Sequence, residues 1–240
     1  MQNTEITTSS RLTMRTFMLQ WAPSVVAAGL LWAATAAGRI PIPGTPVPIT
    51  LQTLVVMMAA MVLSRRQAVA AVVMYVAMGA CGLPVFAGGM STLALVGPSA
   101  GFIFGFVPAV AVTATLAAAV QRVSARWAHL CSDHAGSGVP TVEDGAGVRV
   151  MHRPAMDGTN EAAPYTRAWR ATMHWALRFA AYWMAAVIGC IVLHYACGLL
   201  VQTAVTGVPL RLIASASAGF LPGDLCKAAL AATVAATFRR

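Results

Sequence analysis

Long apolar runs, separated by short polar or Pro/Gly-rich breaks, set the pattern of this 240-residue chain. A bilayer-spanning helix needs about 20 mostly apolar residues. Runs of that grade extend over Phe17–Ala37, Pro98–Val120, His174–Leu200 and Pro222–Phe238. Two shorter runs, Thr50–Leu63 and Gln67–Cys81, flank Arg65 and Arg66 and read as a hairpin of short or broken helices. Together they predict an all-α membrane protein with six transmembrane helices in one transmembrane domain. The organisation that follows is an N-terminal cytoplasmic tail (1–16), helices 1–4 (17–120), a mobile cytoplasmic linker (121–172) and helices 5–6 (173–240). The first run could be taken for a cleaved signal, because Ala34-Thr35-Ala36 resembles a cleavage site. It is longer than the roughly 7–15 residues of a signal h-region, so it reads as a span.

Composition agrees with the pattern. Apolar residues are 58% of the chain and charged residues 10%, against about 25% charged in a soluble domain. A net charge of +9 would suggest nucleic acid if the arginines formed one patch. They fall instead in clusters between apolar runs, so no nucleic-acid partner is expected and the charge reports topology. With the N-terminus in the cytoplasm, the clusters at Arg11, Arg15, Arg65, Arg66, Arg122, Arg126, Arg149, Arg153, Arg167, Arg170, Arg239 and Arg240 all lie inside. Only Arg39 and Arg211 lie outside. The positive-inside rule therefore puts both termini in the cytoplasm. The outer segments become Gly38–Ile49, Leu83–Gly97 and Val201–Leu221, the first two stiffened by Pro and Gly.

The segment Gln121–Arg170 carries Asp133, Glu143, Asp144, Asp157 and Glu161 among five glycines, with no sustained period. It reads as the linker. His129, Cys131, Asp133 and His134 lie close together there, but their spacing matches no zinc module, so no metal is expected. The five cysteines show no paired spacing and imply no disulfide framework.

The candidate chemistry sits at the start of the last helix. Lys227 is the only lysine in the chain, and Asp224 is the only acid outside the tail and the linker. A charge at the centre of a membrane helix costs roughly 2.5–3.5 kcal/mol on insertion scales, which makes an intramembrane ionisable residue a functional candidate. At a spacing of three, both side chains share one helix face. Two readings stand: a first-turn cap with an internal pair that fixes packing, or a polar site for a solute taken from outside. Thr50, Gln52 and Thr53 open the second helix. Thr50 suits an N-cap, and Gln52 offers the donor and acceptor that match a urea or amide. Gly97, Gly101 and Gly105 form a small-residue stripe on the fourth helix; Gly101 stands nearest the expected pocket mouth, where it would let a ligand approach backbone. Gly29, Ala33 and Ala37 form a similar stripe that either packs within the bundle or docks a second membrane protein. His194 and Tyr195 read as a hydrogen-bonded core pair. Phosphate-loop, nucleophile-elbow and metalloprotease motifs are absent from the sequence, so no enzyme and no cofactor is expected.

The string Ile42-Pro43-Gly44-Thr45-Pro46-Val47-Pro48-Ile49-Thr50-Leu51-Gln52-Thr53 resembles the first-loop signature of the BioY family, the biotin-specific substrate-binding (S) components of energy-coupling factor (ECF) transporters. Gly79–Gly89, Gly97–Phe102 and Phe220–Lys227 resemble its later signatures, in the right order. The resemblance implies the ECF S-component fold and biotin captured at the outer face of a bacterial inner membrane. It also implies a membrane coupling protein and two cytoplasmic ATPases as partners, dedicated, shared or, as in some members, absent. Asp224 and Lys227 match the family's acidic and basic pocket positions, and the Gly29/Ala33/Ala37 stripe its docking face. Gln52, Thr50, Phe86, Gly101 and Phe102 complete the expected substrate contacts. Phe102 stands where the family usually has Tyr, and the long linker is not typical. The rival readings are an S component for another vitamin and an intramembrane enzyme acting on a lipid with Asp224 as base.

Overall fold

A computed structural model describes residues 2–40, 47–136 and 162–238. Among them the chain is helical, with two isolated β-bridges and no strand. Helix α1 spans Gln2–Ala36, α2 Gln52–Val62, α3 Arg65–Ala80 and α4 Ala100–Gly136. Helix α5 (Ala162–Ala186) runs through a π-helical stretch, Val187–Leu193, into α6 (His194–Thr206). A short α7 (Leu210–Ser217) and a 3-10 turn lead into α8, Leu221–Phe238. The passes are α1, α2, α3, α4, the continuous α5–α6 and α8. Three stretches are long and apolar enough to cross a membrane: Met18–Ala36, Ala100–Trp127 and Ala171–Thr206.

The short hairpin forms as the pattern predicts. Ser64 caps α3 in a capping box, its hydroxyl accepting from the Gln67 backbone N–H while the Gln67 side chain accepts from the Ser64 N–H. The 11 residues of α2 rise only about 16 Å, well short of a bilayer core of about 30 Å. Backbone that stops at such depth is tolerated where protein covers it. Helix α2 is flanked by α1, α4 and α8 and buries Val56, Met57, Ala60 and Met61. The central core joins these residues to Leu31, Tyr75, Val110, Tyr182 and the alanines of α8. Large apolar side chains such as Val26, Leu30 and Val192 point outward, as lipid-facing positions require.

Three boundaries differ from the sequence reading. Helix α1 begins at Gln2 rather than Phe17. Helices α4 and α5 extend into the expected linker, to Gly136 and from Ala162; residues 137–161 between them lie outside the described residues. Helical hydrogen bonding continues past the apolar window because nothing in Gln121–Gly136 breaks it. The outer stretch Val201–Leu221 is mostly helical rather than a loop. Gly207 ends α6 in the left-handed conformation (φ 69°), Pro209 starts α7, and Ile213 and Ser217 are the face α7 buries.

The π stretch packs closely on α4. Gly189 lies so close to α4 that a Cβ there would overlap Thr113 Oγ1 and come 2.9 Å from the Ala109 carbonyl oxygen. Thr113 and Cys190 are in hydrogen-bond contact at 3.2 Å. The wider turn adds a residue to the helix, which changes the face that the following residues, His194 and Tyr195, present to the bundle.

Candidate functional site

Helix α8 opens with Leu221-Pro222-Gly223-Asp224, and Pro222 suits a first turn where its missing N–H is not needed. The turn carries Asp224 into the protein, 4% exposed, with Lys227 9% exposed one turn on. The Lys227 ammonium donates to Asp224 Oδ1 at 2.9 Å, to Thr53 Oγ1 at 3.1 Å and to the Thr50 carbonyl oxygen at 2.7 Å. An ammonium has three N–H donors, so all three are used. The Thr53 hydroxyl donates in turn to Asp224 Oδ1 at 2.8 Å, and the Tyr195 hydroxyl donates to Oδ2 at 2.5 Å. This is the only ion pair among the described residues. It ties α8 to the start of α2 and to α6.

Gln52 is held from the other side. Its Nε2 donates to the Tyr75 hydroxyl at 2.5 Å, and its Oε1 accepts from Thr50 Oγ1 at 3.2 Å. Tyr75, fully buried on α3, donates in turn to the Val85 carbonyl oxygen at 2.9 Å. The same ring meets Phe86 edge-on, centroids 5.4 Å apart. Phe86 lies over Gly79, where any Cβ would overlap the ring. Its turn is closed by the Phe86–Met90 bridge, with Gly88 and Gly89 at φ 78° and 72°.

These groups line one cavity. Its inner part is about 90 Å³, counted for centres of a water-sized sphere, within about 750 Å³ of atom-free space that includes the mouth. The inner volume is below the roughly 300–1,000 Å³ of small-molecule sites, so a vitamin-sized ligand would occupy the mouth as well. Apolar walls come from Ile49, Phe86, Met90, Phe102, Phe106 and Phe220; polar groups come from Thr50, Gln52, Thr53, His194, Tyr195, Asp224 and Lys227.

Six of the seven expected substrate contacts therefore converge: Asp224, Lys227, Gln52, Thr50, Phe86 and Phe102. Gly101 is a correction. It faces α6, where a Cβ would come 2.5 Å from Val201 Cβ and 2.7 Å from the Cys197 carbonyl oxygen, and it lines no part of the cavity. Its smallness serves helix contact, as does that of Gly105 beside His194 and Cys197. His194 and Tyr195 are a second correction: their rings stand 6.1 Å apart, His194 stacks on Phe106 at 4.5 Å, and the Tyr195 hydroxyl serves Asp224. Thr50 is not the N-cap of α2; Leu51 occupies that position, and Thr50 Oγ1 accepts from the Gln52 N–H at 3.4 Å. Thr53, Tyr75 and Tyr195 carry parts of the network that the sequence reading did not assign. On α1, Gly29 is half-buried with open space where a Cβ would stand, and Ala33 and Ala37 are exposed. The side chains of His129, Cys131, Asp133 and His134 lie outside the described residues.

Comparison with known proteins bears on this arrangement. The biotin transporter BioY of Thermotoga maritima is 41% identical over 119 residues, which are 48% of this chain and 68% of the relative. The biotin transporter BioY of Rhizobium etli is 30% identical over 188 residues, 78% of this chain and 75% of the relative. In fold, the chain matches the crystal structure of the S-component for biotin from an ECF-type ABC transporter. The TM-score is 0.64 at 17% identity, over 94% of this chain and 93% of that one. The model of the BioY family matches residues 7–154, and with these relatives it places this chain in the BioY family.

Proposed function

We propose that this chain is the biotin-binding membrane component of a bacterial vitamin-uptake transporter, and that the cavity at Asp224 and Lys227 is where biotin sits. The observation that carries the reading is the junction of a fixed carboxylate, a half-used amide and aromatic walls in one cavity. Biotin presents a flat ureido group on an apolar bicycle. Asp224 Oδ2, with one hydrogen bond from Tyr195, has room to accept a ureido N–H, and Gln52 keeps a second N–H for the ureido oxygen. Phe86 and Phe102 pack the ring system. Lys227 acts by aiming the carboxylate, since its donors are already engaged. The valerate carboxylate is then free to lie toward the mouth.

The reading sets the chain in the inner membrane; the arginine distribution favours both termini in the cytoplasm, with the Pro/Gly-rich segments outside. A membrane coupling protein and two ATPases would supply the energy, because the chain carries no nucleotide-binding motif. The Gly29/Ala33/Ala37 stripe at the C-terminal end of α1, half-buried at Gly29 and exposed at Ala33 and Ala37, is the face offered for the coupling protein; small residues let a partner helix approach closely.

The test is equilibrium binding of labelled biotin to purified protein in detergent, with thiamine and riboflavin as competitors. Saturable binding displaced by biotin alone is expected. Displacement by either other vitamin, or no saturable binding, contradicts the reading. Lys227→Met should weaken biotin and its tail amide by the same factor; selective loss of biotin would instead put the carboxylate on Lys227.

A further inference from the structure

A second and larger hollow lies well away from the biotin cavity. It is a groove of about 940 Å³ between α4 and α5. On α4 it begins at Leu116, ten residues beyond Phe106 of the cavity wall, or about 15 Å along the helix. Its walls are apolar, including Leu116, Val120, Val123, Leu177, Met184 and Ile188, and one cation, Arg178, reaches into it. Arg178 Nε is buried without a hydrogen-bond partner. The ion pair among the described residues belongs to Asp224 and Lys227, so nothing described neutralises Arg178. The residue lies seven positions inside the apolar stretch Ala171–Thr206, about 10 Å along the helix. A guanidinium at that depth is costly unless it reaches the interface or is paired, and its planar fork matches phosphate oxygens.

We propose that this groove binds an anionic glycerophospholipid, its phosphodiester on Arg178 and an acyl chain along the apolar walls. The half-exposed Trp127 at the groove's end is the amphipathic ring expected at headgroup level. A headgroup with net negative charge satisfies the arginine; a zwitterionic one competes with it through its own cation.

The experiment is native mass spectrometry of the purified full chain with equimolar phosphatidylglycerol, phosphatidylcholine and diacylglycerol of distinguishable chain length. Phosphatidylglycerol adducts should exceed phosphatidylcholine adducts about fivefold, the worth of one basic residue at an anionic headgroup, and diacylglycerol should be retained least. Arg178→Gln should abolish the preference, and Ala181→Trp, which fills the groove wall, should reduce all three lipids. Equal retention of the three lipids by the parent overturns the proposal, as does an undiminished preference in Arg178→Gln. Absence of lipid uptake by the parent overturns it too. If Arg178→Gln does not elute as a folded species, the parent's lipid ranking and Arg178→Lys, which keeps charge and loses the fork, decide the matter.

Discussion

At Lys227 every proton has an assigned acceptor, and that arithmetic decides what the residue does. Removing one partner of a buried ion pair costs about 3–5 kcal/mol, because the other charge is left uncompensated. Lys227→Met should therefore lower the thermal midpoint of the purified protein markedly. The double variant Asp224→Asn/Lys227→Met should recover most of that loss while still failing to bind biotin. A double variant no more stable than the single one would mean that the pair is not closed in solution. Tyr75 carries a second testable role. Phe in its place leaves Gln52 Nε2 and the Val85 carbonyl without partners, and each buried orphan costs about 1–3 kcal/mol. Biotin affinity should fall about tenfold or more in Tyr75→Phe, read by the same binding titration; an unchanged affinity would detach Gln52 from recognition. The pair Asp224–Lys227 was legible in the sequence, since isolated charges in apolar surroundings stand out. Tyr75 was not, because a tyrosine inside an Ala/Val-rich helix looks like core, and the Gln52 that uses it is 23 positions away.

Among the elements, α2 and the π stretch show where periodicity stops informing. The hairpin of short helices was readable from the run lengths and the double arginine. The π stretch was not, because no Pro or polar break marks Val187–Leu193; it lies where a glycine is pressed onto another helix. Alanine ordinarily favours a helix over glycine by about 1 kcal/mol. At Gly189 the sign should reverse, since the added carbon meets Thr113 and Ala109, and overpacking costs about 1–3 kcal/mol. Gly189→Ala should melt at a lower temperature than the parent and bind biotin less well through displaced Tyr195. A higher melting temperature would show that the helix relaxes to ordinary α geometry at no cost. The misassigned Gly101 teaches the same point: a glycine's neighbours on another helix cannot be read from the spacing of its own.

For the whole molecule, fold class and span number followed from apolar run lengths and arginine clusters, and the family signatures fell on the segments that meet at the cavity. What escaped was tertiary: the helical outer segment at α7 and the lengths of α4 and α5 beyond their apolar windows. The α1 stripe is a question at this scale, because its face is exposed and takes no part in the cavity. In cells that supply the coupling partners, Ala33→Leu should cut uptake of labelled biotin severalfold while binding by the purified variant stays unchanged. Equal uptake would move the docking face elsewhere. The most direct test of the central assignment is the biotin affinity of Asp224→Asn, nearly isosteric and uncharged, titrated against the parent. Charge-assisted hydrogen bonds are worth about 1.5–3 kcal/mol, so a loss of at least tenfold is expected. An affinity equal to the parent's would place biotin away from Asp224 and contradict the account.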